Sequence, residues 1–162
     1  MRIGVGAIVL RSGQLLLVKR KYPPSRGYWS IPGGHMKAGE NIFETASREL
    51  LEETGIAAKP LCIIGVDQLR VVDATGVVVR DYILIDVLLD EGDRNVEPRA
   101  GSDALDARFI PLYEAIRRVD ISLSTKSFIY RLLKTEAVAS RDAARYCSVL
   151  TPSVTVVYEE KL

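Results

Sequence analysis

The 162-residue sequence holds one histidine, one tryptophan and two cysteines, and each scarcity closes off a class of function. With a single imidazole, His35, and with Cys62 and Cys147 far apart in neither a CxxC nor a zinc-ligand pattern, a dedicated zinc centre is excluded. Two isolated cysteines fit a reducing compartment, in which they pack as small apolar groups. An excess of charge of either sign is also missing. Twenty-two basic residues against twenty-one acidic ones leave a net charge of +1, so no global field draws in nucleic acid or an anionic membrane, and a nucleotide must be gripped locally. No apolar run approaches the roughly 20 residues that span a bilayer. The opening MRIGVGAIVL lacks a small-residue cleavage site and runs directly into GQLLLVKR, which reads as buried strand rather than signal peptide. A cytoplasmic protein with neither nucleic-acid nor membrane partners is the expectation.

What is present is ordinary globular material, 48% apolar and 27% charged, without low-complexity tracts and of a length that suits one domain. Residues 3–10 and 14–20 read as strands joined by a glycine-containing turn at 11–13. KYPPSRGY, with two consecutive prolines, is a loop, and YWSIPGG is a short extended piece. From Asn41 to about Thr54 the period is helical, closed by Gly55 at the cap position, with Phe43, Ala46 and Leu50 on one face. PLCIIGVDQLRVVD and VVVRDYILIDVLL form a second hairpin about Ala74–Gly76. Residues 91–104 are a loop, ARFIPL is a strand, and PLYEAIRRV and STKSFIYRLLKTEA are helices. The order is α+β or mixed rather than a regular βαβ repeat. In the tail, AVASRDAARYCSVL reads as helical and PSVTVVYEEKL as a strand that adds to a sheet edge of its own subunit or of a partner.

The unusual stretch is GGHMKAGENIFETASRELLEETGI, residues 33–56, with five glutamates in twenty-four positions. Spacings of three and four bring Glu49, Glu52 and Glu53 together near the C-terminal end of the helix, where the dipole already disfavours carboxylates. Unpaired, they would repel and part of the cluster would hold protons. Two readings relieve the conflict: a solvated acidic face partly balanced by Arg48, or a divalent cation, for which hard oxygens suit Mg²⁺ or Mn²⁺ and imply a phosphorylated ligand. Gly33, Gly34 and Gly39 bracket the loop entering the helix and let backbone approach an ion or phosphate closely.

From Gly34 the chain reads glycine, five residues, Glu40, seven residues, Arg48-Glu49-Leu50, one residue, Glu52-Glu53, one residue, Gly55-Ile56. This resembles the Nudix box with every defining position filled, and GYWSIPGGH is similar to the segment that leads into it. The resemblance spans residues 1 to about 135 and makes 1–135 the domain, leaving 136–162 as an extension packed on the same domain or on a partner subunit. It implies an α/β/α sandwich with a mixed, curled sheet, Mg²⁺ or Mn²⁺ as cofactor, and hydrolysis of the pyrophosphate bond in a nucleoside diphosphate linked to another group. Glu49, Glu52 and Glu53, with the Gly33 carbonyl, are then the implied metal ligands. Glu52 or Glu53, or an acid of a downstream loop, takes the proton, Arg48 orients a box glutamate, and Glu40 is structural. A homodimer is an assembly the family implies.

The stretches RKYPPSRGYW and GSDA resemble small prokaryotic ADP-ribose pyrophosphatases, which favours ADP-ribose or a similar nucleotide sugar. Arg70-Val71-Val72 stand where many such enzymes carry a proline, so a nucleoside triphosphatase acting on normal or oxidised nucleotides is the alternative, followed by a non-catalytic ligand sensor. Candidate substrate residues are Arg20 and Arg26 for phosphate or ribose, Trp29 with Tyr28 for stacking a base, and the downstream acids Asp103 and Asp106 with Glu97 nearby. Each also has a plain structural reading as core aromatic, surface arginine or solvated loop acid.

Overall fold

The computed structural model describes residues 1–23, 25–101, 103–135, 146–147 and, as backbone, 154–160. Among these residues the elements follow in the order β1 (Arg2–Ile8), β2 (Leu10–Arg11), β3 (Gln14–Arg20), β4 (Trp29–Ser30), β5 (Gly33–His35), α1 (Ile42–Thr54), β6 (Pro60–Val72), β7 (Val78–Leu89), β8 (Ala104–Pro111), α2 (Leu112–Ala115), α3 (Leu123–Leu133) and β9 (Val154–Glu160). One mixed sheet has the order β5-β1-β7-β6-β9; a second joins β2, β3 and β4, with β8 also paired to β3. The apolar run at 3–10 is therefore not one arm of a single hairpin. It breaks at Val9, leaving β1 parallel to β7 in the first sheet while β2 turns back on β3 in the second. Ser12 and Gly13, with φ of 49° and 75°, form the tight connection, a conformation that glycine takes without cost.

Alternation along β1 and β7 sorts the core into two layers. Val5, Ala7, Val9, Val87 and Leu89 meet Ala46 and Leu50 of α1. Ile8, Leu10 and Leu88 face the other way, toward Phe128, Ile129 and Leu132 of α3. The mixed sheet thus lies between α1 and α3, the sandwich that the sequence implied. The buried face of α1 is Thr45, Ala46, Leu50 and Thr54, whereas Phe43, expected to face the core, is 39% exposed. The predicted helix at 111–119 shortens to the single turn α2, and the helix at 124–137 becomes α3.

The cysteine expectation is corrected. Cys62 of β6 and Cys147 form a disulfide across a sequence separation of 85, so they are not separate apolar fillers and do not argue for a reducing compartment. Tyr146 beside it is buried in the α3-side core. Downstream, β9 runs parallel to β6 from Val66 to Val72, adding to the edge of its own sheet. The helical reading of 137–150 lies outside the described residues except at Tyr146 and Cys147, which are helical. Among the described residues no helix is long and apolar enough to cross a membrane.

A bond closing so long a loop restricts the unfolded chain strongly. Reducing it, or substituting Cys147→Ser, should lower unfolding stability by about 2–4 kcal/mol. Urea denaturation with and without reductant measures this, and coincident transitions would show that the bridge contributes nothing.

Candidate active site

Helix α1 begins with a capping box: the Asn41 side chain accepts from the Glu44 N–H at 2.9 Å, and Glu44 accepts from the Asn41 N–H at 2.8 Å. It ends on Gly55 at φ 71°, whose N–H donates to the Leu51 carbonyl. Between these stops the acids are managed by one cation. Arg48 donates to Glu40 at 2.5 and 2.9 Å, to Glu49 at 2.7 Å and to Glu52 at 3.1 Å, and its remaining reach is to the His35 carbonyl at 3.1 Å. The guanidinium pulls Glu40 down to about 2, and the same contacts hold Arg48 firmly charged. Glu40 also accepts from the Lys37 N–H and the Thr45 hydroxyl, so it ties the glycine-containing loop to the first turns of α1. Glu52 is half exposed and reaches Lys37 at 3.3 Å.

Glu53 has the opposite environment. Its side chain turns inward under β5, where the Gly33 N–H donates to it at 2.9 Å. Burial, more than the donor offsets, pushes its carboxyl up to about 7; the charges of Glu49 and Asp103 add to the rise, and Arg20 opposes it. Gly34 lies against the Glu49 carboxylate so closely that a Cβ would stand 2.8 Å from Oε2 and displace that carboxylate. The loop between β7 and β8 closes the far end of the helix: the Arg99 N–H donates to the Thr54 carbonyl at 2.8 Å and the Gly101 N–H to the Glu53 carbonyl at 2.9 Å. That loop is itself pinned by Arg11, whose guanidinium donates to the carbonyls of Glu91, Asp93 and Val96 and stacks on Phe109.

The donor set suits a hard divalent cation: carboxylates of Glu49 and Glu53, Glu52 beside them, and main chain at Gly33 and Gly34 held close by the absence of side chains. Among the described residues no three acidic, histidine or cysteine side chains converge on one point, because Arg48 and Lys37 engage Glu52 while the Gly33 N–H engages Glu53.

Of the other residues named from sequence, Arg20 lines a cavity of about 200 Å³ that opens beside Gly33 and Gly34, and Asp103 is near enough to raise the Glu53 pKa. Arg26 is exposed on its loop, as is His35 on β5, whose ring stands 6.4 Å from that of Tyr82. Trp29 does not reach this cavity. It is 4% exposed within the α3-side core, with Lys19, Arg108 and Arg118 about 6 Å from its ring, so base stacking by Trp29 is replaced by a packing role. Asp106 stands on β8 rather than in a loop, pairs with Arg108 at 2.6 Å and lines a separate cleft with Trp29. Glu97 lies in a third cleft beside Arg11 and Arg94. Sequence reading passed over Asp67 and Asp86, 2% and 6% exposed, which line the cavity at Gly33. Their signal was a lone aspartate in each of two apolar strands, IIGVDQL and YILIDVL.

Comparison with known proteins agrees with this architecture. The model of the NUDIX domain matches residues 1–132. The ADP-ribose pyrophosphatase of Methanocaldococcus jannaschii is 34% identical over 110 residues, covering 68% of this chain and 62% of that protein. The chain therefore matches less than two thirds of that relative's length. Among solved structures, the MutT protein of Bacillus halodurans superposes with a TM-score of 0.66 at 28% identity, covering 83% of both chains. A bifunctional NMN adenylyltransferase/ADP-ribose pyrophosphatase of Francisella tularensis, complexed with AMP and a Mn ion, gives 0.66 at 26% identity over 82% of this chain and 41% of that one.

Because the folded chain holds the Glu53 proton more tightly than the unfolded chain, the group's contribution to stability is intact below about pH 4.5 and is lost as pH rises through about 7. In metal-free buffer, Glu53→Gln should therefore stabilise the protein at pH 8 by on the order of 1–3 kcal/mol, with the gap shrinking to a few tenths near pH 4.5. Denaturant midpoints at the two pH values check this; a gap independent of pH would contradict the burial of Glu53. With its box intact and its fold shared, the chain belongs to the NUDIX domain family.

Proposed function

We propose that this protein hydrolyses the pyrophosphate bond of a nucleoside diphosphate linked to another group, with ADP-ribose or a similar nucleotide sugar as substrate. One observation carries the reading: within a complete box, Glu53 turns under β5 and accepts from the Gly33 N–H, while Glu40 and Glu49 pair with Arg48. A carboxylate fixed by a main-chain donor beside further carboxylates is placed to take the proton of an attacking water. The 34% identity to an ADP-ribose pyrophosphatase supports the substrate class.

In this reading Glu49, Glu52 and Glu53, with the Gly33 carbonyl, would hold Mg²⁺ or Mn²⁺, which would supply charge neutralisation on the pyrophosphate and acidify water. Glu53 accepts the proton of the attacking water, its carboxylate aimed by the Gly33 N–H. Arg48 is a positioning residue, fixing Glu49 and Glu52 on α1 relative to Glu40 and the His35 carbonyl. Arg20, at the cavity wall beside Gly33, meets phosphate oxygen as the substrate's anhydride crosses from α1 into the cavity. Asp103 adds negative charge near Glu53 and helps keep its proton affinity high.

The test is a panel of ADP-ribose, other nucleotide sugars, diadenosine polyphosphates and nucleoside triphosphates, with Mg²⁺ or Mn²⁺ and phosphatase coupling. Cleavage of the diphosphate-linked class is expected, with kcat reduced at least about 100-fold in Glu53→Gln. Cleavage confined to nucleoside triphosphates would transfer the assignment to that class, and equal rates for the two proteins would contradict the role of Glu53.

A further inference from the structure

The cavity beside Gly33 runs along the α3-facing side of the mixed sheet, and its floor is built in an unusual way. Gly33 of β5, Gly6 of β1, Asp86 of β7 and Gly65 of β6 are successive partners across four strands. A Cβ on Gly6 would stand 2.5 Å from Asp86 Oδ1, and one on Gly65 would stand 2.9 Å from Oδ2. The carboxylate therefore lies flat on the sheet between two glycines, with glycine continuing the row to the edge where the box loop begins. Asp67 of β6 stands beside it, paired at 2.5 Å with Arg131 of α3 through Oδ2.

Burying two carboxylates is unfavourable unless something compensates them. Arg131 engages one oxygen of Asp67; Asp67 Oδ1 is buried with no hydrogen-bond partner among the described residues. Arg20 Nε and Ser30 Oγ, on the same cavity's wall, are likewise buried and without a partner. A cavity with unmet acceptors at its deep end and unmet donors near Gly33 is matched to a ligand of opposite pattern. Leu69 and Leu84 supply the apolar wall.

We infer that this cavity reads the nucleobase of the substrate, seating an exocyclic amino group against the carboxylates of Asp67 and Asp86 while Arg20 and Ser30 face the ribose-phosphate end. An exocyclic amine carries two N–H donors, one for each carboxylate, and a carbonyl oxygen in its place would face two acceptors and be rejected. Adenine and guanine nucleotides both carry such a group; hypoxanthine does not. The inference rests on the nucleotide reading of the site above and names the part of the substrate that selects it.

Equilibrium binding of nucleoside monophosphates tests it without turnover, so its outcome is separate from that of the hydrolysis panel. Calorimetry at about pH 8.5, above the value of about 7 to which burial and then the Asp67 charge push Asp86, ensures that Asp86 is charged. AMP or GMP should bind at least about tenfold more tightly than IMP and ribose 5-phosphate; the AMP and GMP arms tell which purine is preferred. Asp86→Asn, which replaces an acceptor by a donor, should reduce that preference to within about threefold or invert it toward IMP. The wild-type comparison needs no variant to fold. Equal binding of AMP, GMP, IMP and ribose 5-phosphate, or none, would overturn the inference. A clear amino preference in a protein that fails to hydrolyse any diphosphate derivative would uphold the cavity's role while removing the proposed reaction.

Discussion

The contact on which the rest depends is the hold of one guanidinium on three carboxylates. Glu40, Glu49 and Glu52 cannot share the end of α1 and its entry loop as bare anions, and Arg48 meets all three within hydrogen-bonding distance. The clamp also reaches the His35 carbonyl, so it fixes the helix relative to β5. From that follow the approach of Gly34 to Glu49 and the Gly33 N–H bond to Glu53. A shift of α1 by one residue would rotate its side chains by about 100° and dissolve all of these contacts together.

Arg48 leaves Glu53 out of its network, and that omission gives the site its chemistry. Carboxylates one residue apart acquire opposite characters: Glu52 is half exposed and ion-paired, whereas Glu53 is partly buried and inclined to keep its proton. Burial decides the outcome, because one neutral N–H donor cannot repay the desolvation of a full charge. The same competition recurs deeper in the sheet at Asp86, where two flanking glycines make room for a carboxylate and burial outweighs the opposing charge of Arg131. Asp86 lines the cavity that opens beside Gly33, the residue whose N–H holds Glu53.

How much of this the sequence disclosed depends on how local the information was. The box was legible because Glu40, Arg48, Glu49, Glu52 and Glu53 sit on one helix and its entry loop, where spacing alone fixes proximity. The hairpin of β6 and β7 was legible for a similar reason, through the turn at Ala74–Gly76. The bond between Cys62 and Cys147 was not, since nothing in a pair of isolated cysteines reports that the tail returns along β6. Nor was the meeting of Gly6, Gly65 and Asp86, which depends on strand register across the sheet. The placement of Trp29 and Asp106 was not legible, because a residue's neighbours along the chain do not say which face of a strand it occupies; both lie away from Gly33.

The central claim is that the end of α1 keeps a carboxyl poised near neutrality until a divalent cation arrives. The most direct measurement is an NMR titration of the Glu53 side-chain carboxyl, ¹³C-labelled, with and without saturating Mg²⁺. A midpoint near 7 in the metal-free protein, falling below about 5 with Mg²⁺, is the predicted result. An ordinary carboxylate midpoint in the free protein, or one that Mg²⁺ leaves unmoved, would contradict it.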